Sequence, residues 1–216
     1  MAERRASRIG ARRRNARKAP SDGYDERRAR LIEAAAKVFR DKGFQGASIN
    51  DVATEFGSDR ATLYYYVSNK HELFEMVIAD AVQANVKMAE EVRSSEADAA
   101  TKLRTILVEL MRSYDANYPH LFVYLQEDML RLAGADAEWE ARMLDWSRRY
   151  FQAVRDVIQQ GIDEKLFTSS LPVTITAQGV VGMISWSHHW YKPSGSVSAD
   201  QIGEGFADMV LRGLVR

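Results

Sequence analysis

The chain has 216 residues, 46% hydrophobic and 28% charged, which suffices for one domain of ordinary size or for a small domain beside a larger one. It has no cysteine, which excludes disulfide scaffolds, thiolate zinc sites and cysteine nucleophiles and suits a reducing cytoplasm. The overall charge is zero, yet residues 1–30 hold 11 basic against 4 acidic side chains and the remainder 19 against 26, so a basic end is tethered to an acidic body and points to a polyanionic partner.

No apolar run approaches the ~18 residues of a membrane span, and the N-terminus lacks the apolar segment of a secretory signal, so no membrane partner is expected. Met1–Gly23 has few bulky apolar residues and is rich in arginine, with Arg12, Arg13, Arg14, Arg17 and Lys18 before Pro20. It reads as a disordered basic arm, either lying along DNA phosphates or serving as a solubility tail. From Tyr24 onward the hydrophobic periodicity is helical, and no alternating run argues for a strand, so the fold class is all-α.

The first helix spans about 24–42, with Leu31, Ala35, Val38 and Phe39 on one face and Gly43 as its C-terminal cap. Ser48 caps a second, short helix, with Asp51 at the capping-box position and Ile49, Val52, Ala53 and Phe56 as its apolar stripe. Gly57 stops it, and Asp59 caps a third helix that turns Leu63 and Val67 inward. Ser68 or Asn69 caps a fourth, whose buried side is Leu73, Phe74, Val77 and Ile78. Three helices with a glycine turn between the second and third form the layout of a helix-turn-helix, in which the third helix enters the major groove of DNA. Arg60, Ala61 and Thr62 give that helix a start without bulk, able to approach base edges. Tyr64, Tyr65 and Tyr66 follow in three directions, so they cannot all be core.

The residues from Arg28 to Ala79 resemble the N-terminal domain of the TetR (tetracycline repressor) family. The resemblance rests on Ala34–Phe39 with Gly43-Phe44, Ala47-Ser48-Ile49 with Asp51-Val52-Ala53, Gly57, Thr62-Leu63-Tyr64-Tyr65-Tyr66-Val67, and Asn69-Lys70 with Glu72-Leu73. Ser58 and Asp59 depart from the pattern, and Asp59 brings a negative charge to the start of the recognition helix. The resemblance implies base-edge contacts from Asn50, Arg60, Ala61, Thr62 and Tyr65, and backbone contacts from Ser48, Tyr64, Tyr66 and Lys70. The chemistry is compatible, since an arginine can pair with a guanine edge through two hydrogen bonds and a lysine at a helix start suits a phosphate. Three of these have plainer readings: Ser48 as a cap only, Tyr64 as packing against the first helix, and Asn50 as a solvated polar residue.

Residues 80–216 read as helices over about 70–93, 98–117, 119–133, 136–160, 172–191 and 198–214, with Gly134 and Gly161 at helix ends and Pro119 and Pro172 at helix starts. The organisation expected is an arm over 1–23, a DNA-binding domain over 24–69, and a helical bundle for ligand binding and dimerisation over 70–216. Large aromatics and methionines in the bundle suggest an adaptable apolar cavity, plain core being the simpler reading of each alone. The candidates in the first half are Met111, Tyr118, Phe122, Gln126 and Met129. Those in the second are Trp139, Met143, Trp146, Tyr150, Met183 and Trp186. Among Gln126, Glu127 and Asp128, one is expected to face inward. The last two helices carry small and apolar residues, and Val180, Phe206, Met209 and Val210 are expected at the dimer interface, where the family forms a four-helix bundle between subunits.

His188 and His189 are neighbours about 100° apart around a helix and do not converge, so neither a metal nor another cofactor is expected. The segment from Trp186 to Pro193 with Gly195, and the stretch Tyr124–Leu132, resemble a branch of the family that controls fatty-acid, steroid or aromatic-acid breakdown and often senses acyl-coenzyme A thioesters. The reading is a homodimeric repressor that binds a palindromic double-stranded operator and is released by a small hydrophobic or acyl-CoA-type effector. A sensor of free hydrophobic drugs or lipids is the alternative within the class. A ligand-independent architectural DNA binder is the alternative outside it, which the aromatic-rich bundle argues against. An enzyme is not expected, because the sequence has no Glu-x-x-His ligand pair, nucleophile motif or glycine-rich phosphate loop.

Overall fold

The computed structural model of the protein describes residues 22–127 and 137–215. These residues form α1 (Asp22–Gly46), α2 (Ile49–Phe56), α3 (Arg60–Tyr66), α4 (Lys70–Ser94), α5 (Ala99–Ala116), α6 (His120–Gln126), α7 (Ala137–Asp163), α8 (Val173–Ser185), a 3-10 turn (Trp186–His189) and α9 (Ala199–Leu214). The fold is all-α; β-pairing among the described residues amounts to one isolated bridge between Phe167 and Val215. No described helix is long and apolar enough to cross a membrane. The chain divides into two compact units, Met1–Ala79 and Asp80–Arg216, so the division falls within α4.

In the first unit, α1 to α3 and the start of α4 close on one core. Leu31, Phe39, Val52, Leu63, Leu73 and Phe74 are all but fully buried. The rings of Phe39, Phe44 and Phe74 stand 5.0–5.8 Å apart in tilted and edge-on pairs, the geometry favoured by the aromatic quadrupole. Gly43 makes this cluster possible. Its φ of 69° interrupts the helical conformation of α1, and Phe44 follows directly into the core. Gly57, at φ 73° and ψ 37°, caps α2 as expected and reverses the chain toward α3.

In the second unit α5 lies along α9. A Cβ on Gly203 would stand 2.8 Å from Val108 Cα, so the two backbones approach to a distance that admits only glycine. Arg104 bridges to Glu204 and, at 2.6 Å, to Asp208, while Arg112 bridges to Asp200 along the same seam. Lys102 is 5% exposed, yet its Nζ donates to the Arg93 carbonyl (2.9 Å) and to Gln160 Oε1 (3.0 Å), joining the end of α4 to α5 and α7. Ser198 and Gln201 form a reciprocal capping box at the start of α9, and Pro119 and Pro172 occupy the N-cap positions of α6 and α8.

Several expectations need correction. Gly161 is not a cap. It lies within α7, where a Cβ would fall 2.1 Å from the Phe167 ring, so its role is close packing. The eighth helix ends at Ser185 and tightens into a 3-10 turn instead of continuing to residue 191. Of the basic arm, residues 1–21 lie outside the described residues, and α1 already includes Asp22 and Gly23. Gly134 and residues 128–133 of the sixth expected helix also lie outside them.

Candidate nucleic-acid interface and candidate cavity

The helix-turn-helix is fixed by two polar caps. Ser48 accepts from the Asp51 N–H (3.2 Å), while Asp51 Oδ2 accepts from the Ser48 N–H (2.8 Å) and hydroxyl (2.6 Å). Lys42 donates to the other carboxylate oxygen at 2.6 Å. The Lys42 ammonium and the Ser48 donors together hold the Asp51 carboxyl down at about 2. Asp59 caps α3 by accepting from the Thr62 N–H at 2.7 Å, which likewise lowers its pKa.

These caps present one surface. Asn50 on α2 and Arg60 and Ala61 at the start of α3 are exposed, and Thr62 is half-exposed. The Arg60 guanidinium donates to the Tyr64 hydroxyl (2.8 Å from Nη2) and lies 5.3 Å from the centre of that ring, so the arginine is braced along the helix face. Tyr65 remains half-exposed, edge-on to Tyr24 at 6.1 Å.

Three residues named from the family pattern are placed otherwise. Tyr66 is 5% exposed and stacks on Tyr24 at 5.3 Å, a core residue. Both lone-pair and proton functions of the Ser48 hydroxyl serve the cap. The Lys70 ammonium donates to the carbonyls of Phe44 (2.7 Å) and Ala47 (3.0 Å), so it joins α4 to the end of α1.

The second unit holds a cavity of about 250 Å³. Its wall is drawn from five helices: Val82, Asn85 and Val86 of α4; Leu110 and Tyr114 of α5; Leu121, Tyr124 and Leu125 of α6; Trp146, Ser147, Tyr150 and Phe151 of α7; and Val181, Ile184 and Ser185 of α8, with Glu127 just beyond α6. Tyr124 and Ser147 satisfy each other at 2.9 Å. Burial raises the pKa of Tyr114, Tyr124 and Tyr150. The Tyr114 hydroxyl is enclosed without a hydrogen-bond partner among the described residues, its ring 5.6 Å from that of Tyr191.

Of the residues expected at a pocket, Trp146 and Tyr150 line this one. Met111, Trp139 and Met143 are buried core, at most 2% exposed, and do not reach it. Tyr118 and Phe122 are half-buried in an edge-on chain of rings running from Tyr114 to His188. Of the three polar candidates, Gln126 is exposed, Glu127 stands on the wall, and Asp128 lies outside the described residues. Met183 is half-buried off the wall, and Trp186 is 62% exposed, stacked on His189 at 3.7 Å. Met129 lies outside the described residues. The contributions of α4 were missed, because an apolar stripe looks the same whether it meets a neighbour or a void.

Of the four interface candidates, Met209 is 65% exposed, Phe206 and Val210 are half-exposed, and Val180 is buried within its own chain at 6%. Ile175, Gly179, Gly182 and Trp186 make up an exposed stripe on α8 and the turn that follows it.

Residues 31–77 match the family described as bacterial regulatory proteins, tetR family, and residues 96–214 match the Tetracyclin repressor-like, C-terminal domain. The chain is similar to the HTH-type transcriptional repressor KstR2 of Mycobacterium tuberculosis, with 23% identity over 192 residues that cover 89% of this chain and 94% of that one. Its fold is similar to the solved structure of PfmR, a TetR family transcriptional regulator from Thermus thermophilus (TM-score 0.74, 26% identity, 86% of this chain and 99% of that one). It is also similar to AibR in complex with isovaleryl coenzyme A and operator DNA (TM-score 0.71, 21% identity, 85% and 97% covered).

Proposed function

The chain belongs to the TetR family of bacterial regulatory proteins and is a DNA-binding transcriptional regulator, and from this premise we propose that it acts as a cytoplasmic homodimeric repressor released from a palindromic operator by a small hydrophobic effector. The observation that carries the proposal is the exposed start of α3. Arg60, braced on Tyr64, and Ala61 are exposed and Thr62 is half-exposed on a helix whose entry is fixed by Asp59, with Asn50 exposed on α2. Two such heads can read one face of DNA when the recognition helices lie about 34–36 Å apart, which favours a two-fold dimer. The exposed apolar stripes of α8 and α9, with Ile175, Trp186 and Met209, supply a surface that such a dimer would cover.

The cavity in the second unit is the proposed effector site. Val82, Asn85 and Val86 of its wall belong to α4, whose first turn at Lys70 holds the Phe44 and Ala47 carbonyls. An effector need favour the DNA-incompetent state by only a few kcal/mol to empty the operator. AibR was solved with isovaleryl coenzyme A, and an acyl-coenzyme A effector here would place its acyl end in the cavity. At about 250 Å³, with no lysine or arginine among its described lining residues, the cavity suits the acyl part and not the polyanionic carrier.

The test is a salt series of mobility-shift titrations on a selected operator. Arg60→Ala is expected to cost about 1–3 kcal/mol and to relax preference at one symmetric base position. Unchanged affinity and preference for this variant would remove α3 as the reading helix.

A further inference from the structure

We propose that the second-unit cavity selects an uncharged, compact ring-bearing molecule with one hydrogen-bond-accepting oxygen, and that Tyr150 is the residue that orients it. The inference rests on the reading of this cavity as the effector site and adds the chemical class of the effector.

Charge is the first restriction. No lysine, arginine or histidine is among the described residues that line the cavity, and the acid Glu127 stands on its wall. A carboxylate or phosphate placed inside would lose its hydration without gaining a cation from these described residues, which selects against charged ligands. Shape is the second. The aromatic side chains of Tyr114, Tyr124, Trp146, Tyr150 and Phe151 supply flat apolar faces around about 250 Å³. A lined apolar cavity of roughly 150 Å³ already takes up benzene, so two fused rings match this volume.

The polar groups make the third restriction. The Tyr124 hydroxyl and Ser147 satisfy each other. The Tyr150 hydroxyl and the Asn85 amide, also on the wall, make no hydrogen bond with a described residue. Tyr150 is deep enough for burial to raise its pKa, yet its oxygen is not among the side-chain atoms sealed off by protein, so the group remains reachable from the cavity. A neutral phenol in such a place donates to a ketone, ester or alcohol oxygen. Sites with a buried donor discriminate strongly against ligands that leave it unpaired.

Calorimetric titration of the full-length protein with tetralone, its parent hydrocarbon tetralin and naphthoate tests the inference. Tetralone is expected to bind at least tenfold more tightly than tetralin and more tightly than naphthoate. Tyr150→Phe, which keeps the ring, is expected to weaken tetralone by about tenfold and to leave tetralin unchanged. Asn85→Leu, with its fold checked by circular dichroism, provides a second variant and is expected to weaken tetralone more than tetralin. Equal tetralone affinity for wild type and Tyr150→Phe, tighter naphthoate binding, or no tetralone binding would each overturn the proposal. Operator binding is measured separately by mobility shift. Protein that binds tetralone as expected but stays on its operator keeps this ligand class and removes release as its consequence. Protein that binds operator but not tetralone removes the ligand class alone.

Discussion

The Lys70 ammonium donates to the Phe44 carbonyl at 2.7 Å while standing 4.4 Å from the centre of the Phe44 ring. With a second bond to the Ala47 carbonyl at 3.0 Å, it ties the first turn of α4 to the point where α1 gives way to α2. Carbonyls at the end of a helix lack intrahelical partners, and a cation is a strong donor to them. Lys70→Met is therefore expected to lower stability by about 1.5–3 kcal/mol, read by urea unfolding. The slope of log affinity against log salt should stay within experimental error of wild type. A slope reduced by about one, with stability intact, would return Lys70 to a phosphate.

Asp51 provides a pH signature. Folding lowers its pKa from 3.8 to about 2, first through Lys42 and then through Ser48. A carboxyl with a depressed folded pKa stabilises the fold fully above its unfolded pKa, and that contribution is lost as pH falls through the folded value. The melting-temperature difference between wild type and Asp51→Asn should thus be constant above pH 3.8 and shrink toward pH 2. A difference that does not change across this window would show that the capping box contributes no charge-dependent stability.

Tyr114→Phe is expected to leave stability unchanged or to raise it by up to ~1 kcal/mol, in contrast to most core substitutions, because the hydroxyl it removes is buried without a partner among the described residues. The phenyl ring keeps its packing against Tyr118 and Tyr191. Thermal unfolding checks this, and a loss above ~1 kcal/mol would mean that the hydroxyl is satisfied by water.

Local chemistry made the first unit legible. The caps at Ser48 and Asp59 and the left-handed turn at Gly57 are set by residues within three or four positions, and the structure has them where the pattern put them. Side-chain direction beyond one turn was less readable. Tyr64, Tyr65 and Tyr66 were expected to diverge, but that Tyr66 is the buried one depends on Tyr24, far away in sequence. In the second unit a glycine signals either a cap or a close approach. Gly161 reads as a cap by pattern, and only the fold brings the Phe167 ring against it. The wall of the cavity depends on which faces of five helices meet, so the pattern identified aromatics of α6 and α7 such as Trp146 and Tyr150 but not the residues of α4 and α8.

Two residues expected at the interface, one exposed and one buried in its own chain, behave oppositely to mutation, and that contrast tests the interface. Met209 is 65% exposed in the single chain and lies on the same face of α9 as Phe206, whose ring meets Trp190 edge-on at 6.1 Å. Val180 is 6% exposed and packs inside its own subunit. Met209→Glu changes nothing that the isolated chain buries, so each subunit should keep its fold. At a covered two-fold seam, however, it would place two carboxylates near one another and strip their hydration, a cost of several kcal/mol. The expected result is a folded monomer by light scattering and circular dichroism, with operator affinity reduced because two linked heads become independent. Val180→Glu should instead unfold the second unit, since the charge enters a core without a partner. A Met209→Glu protein that remains a dimer with wild-type operator affinity would move the interface away from α9.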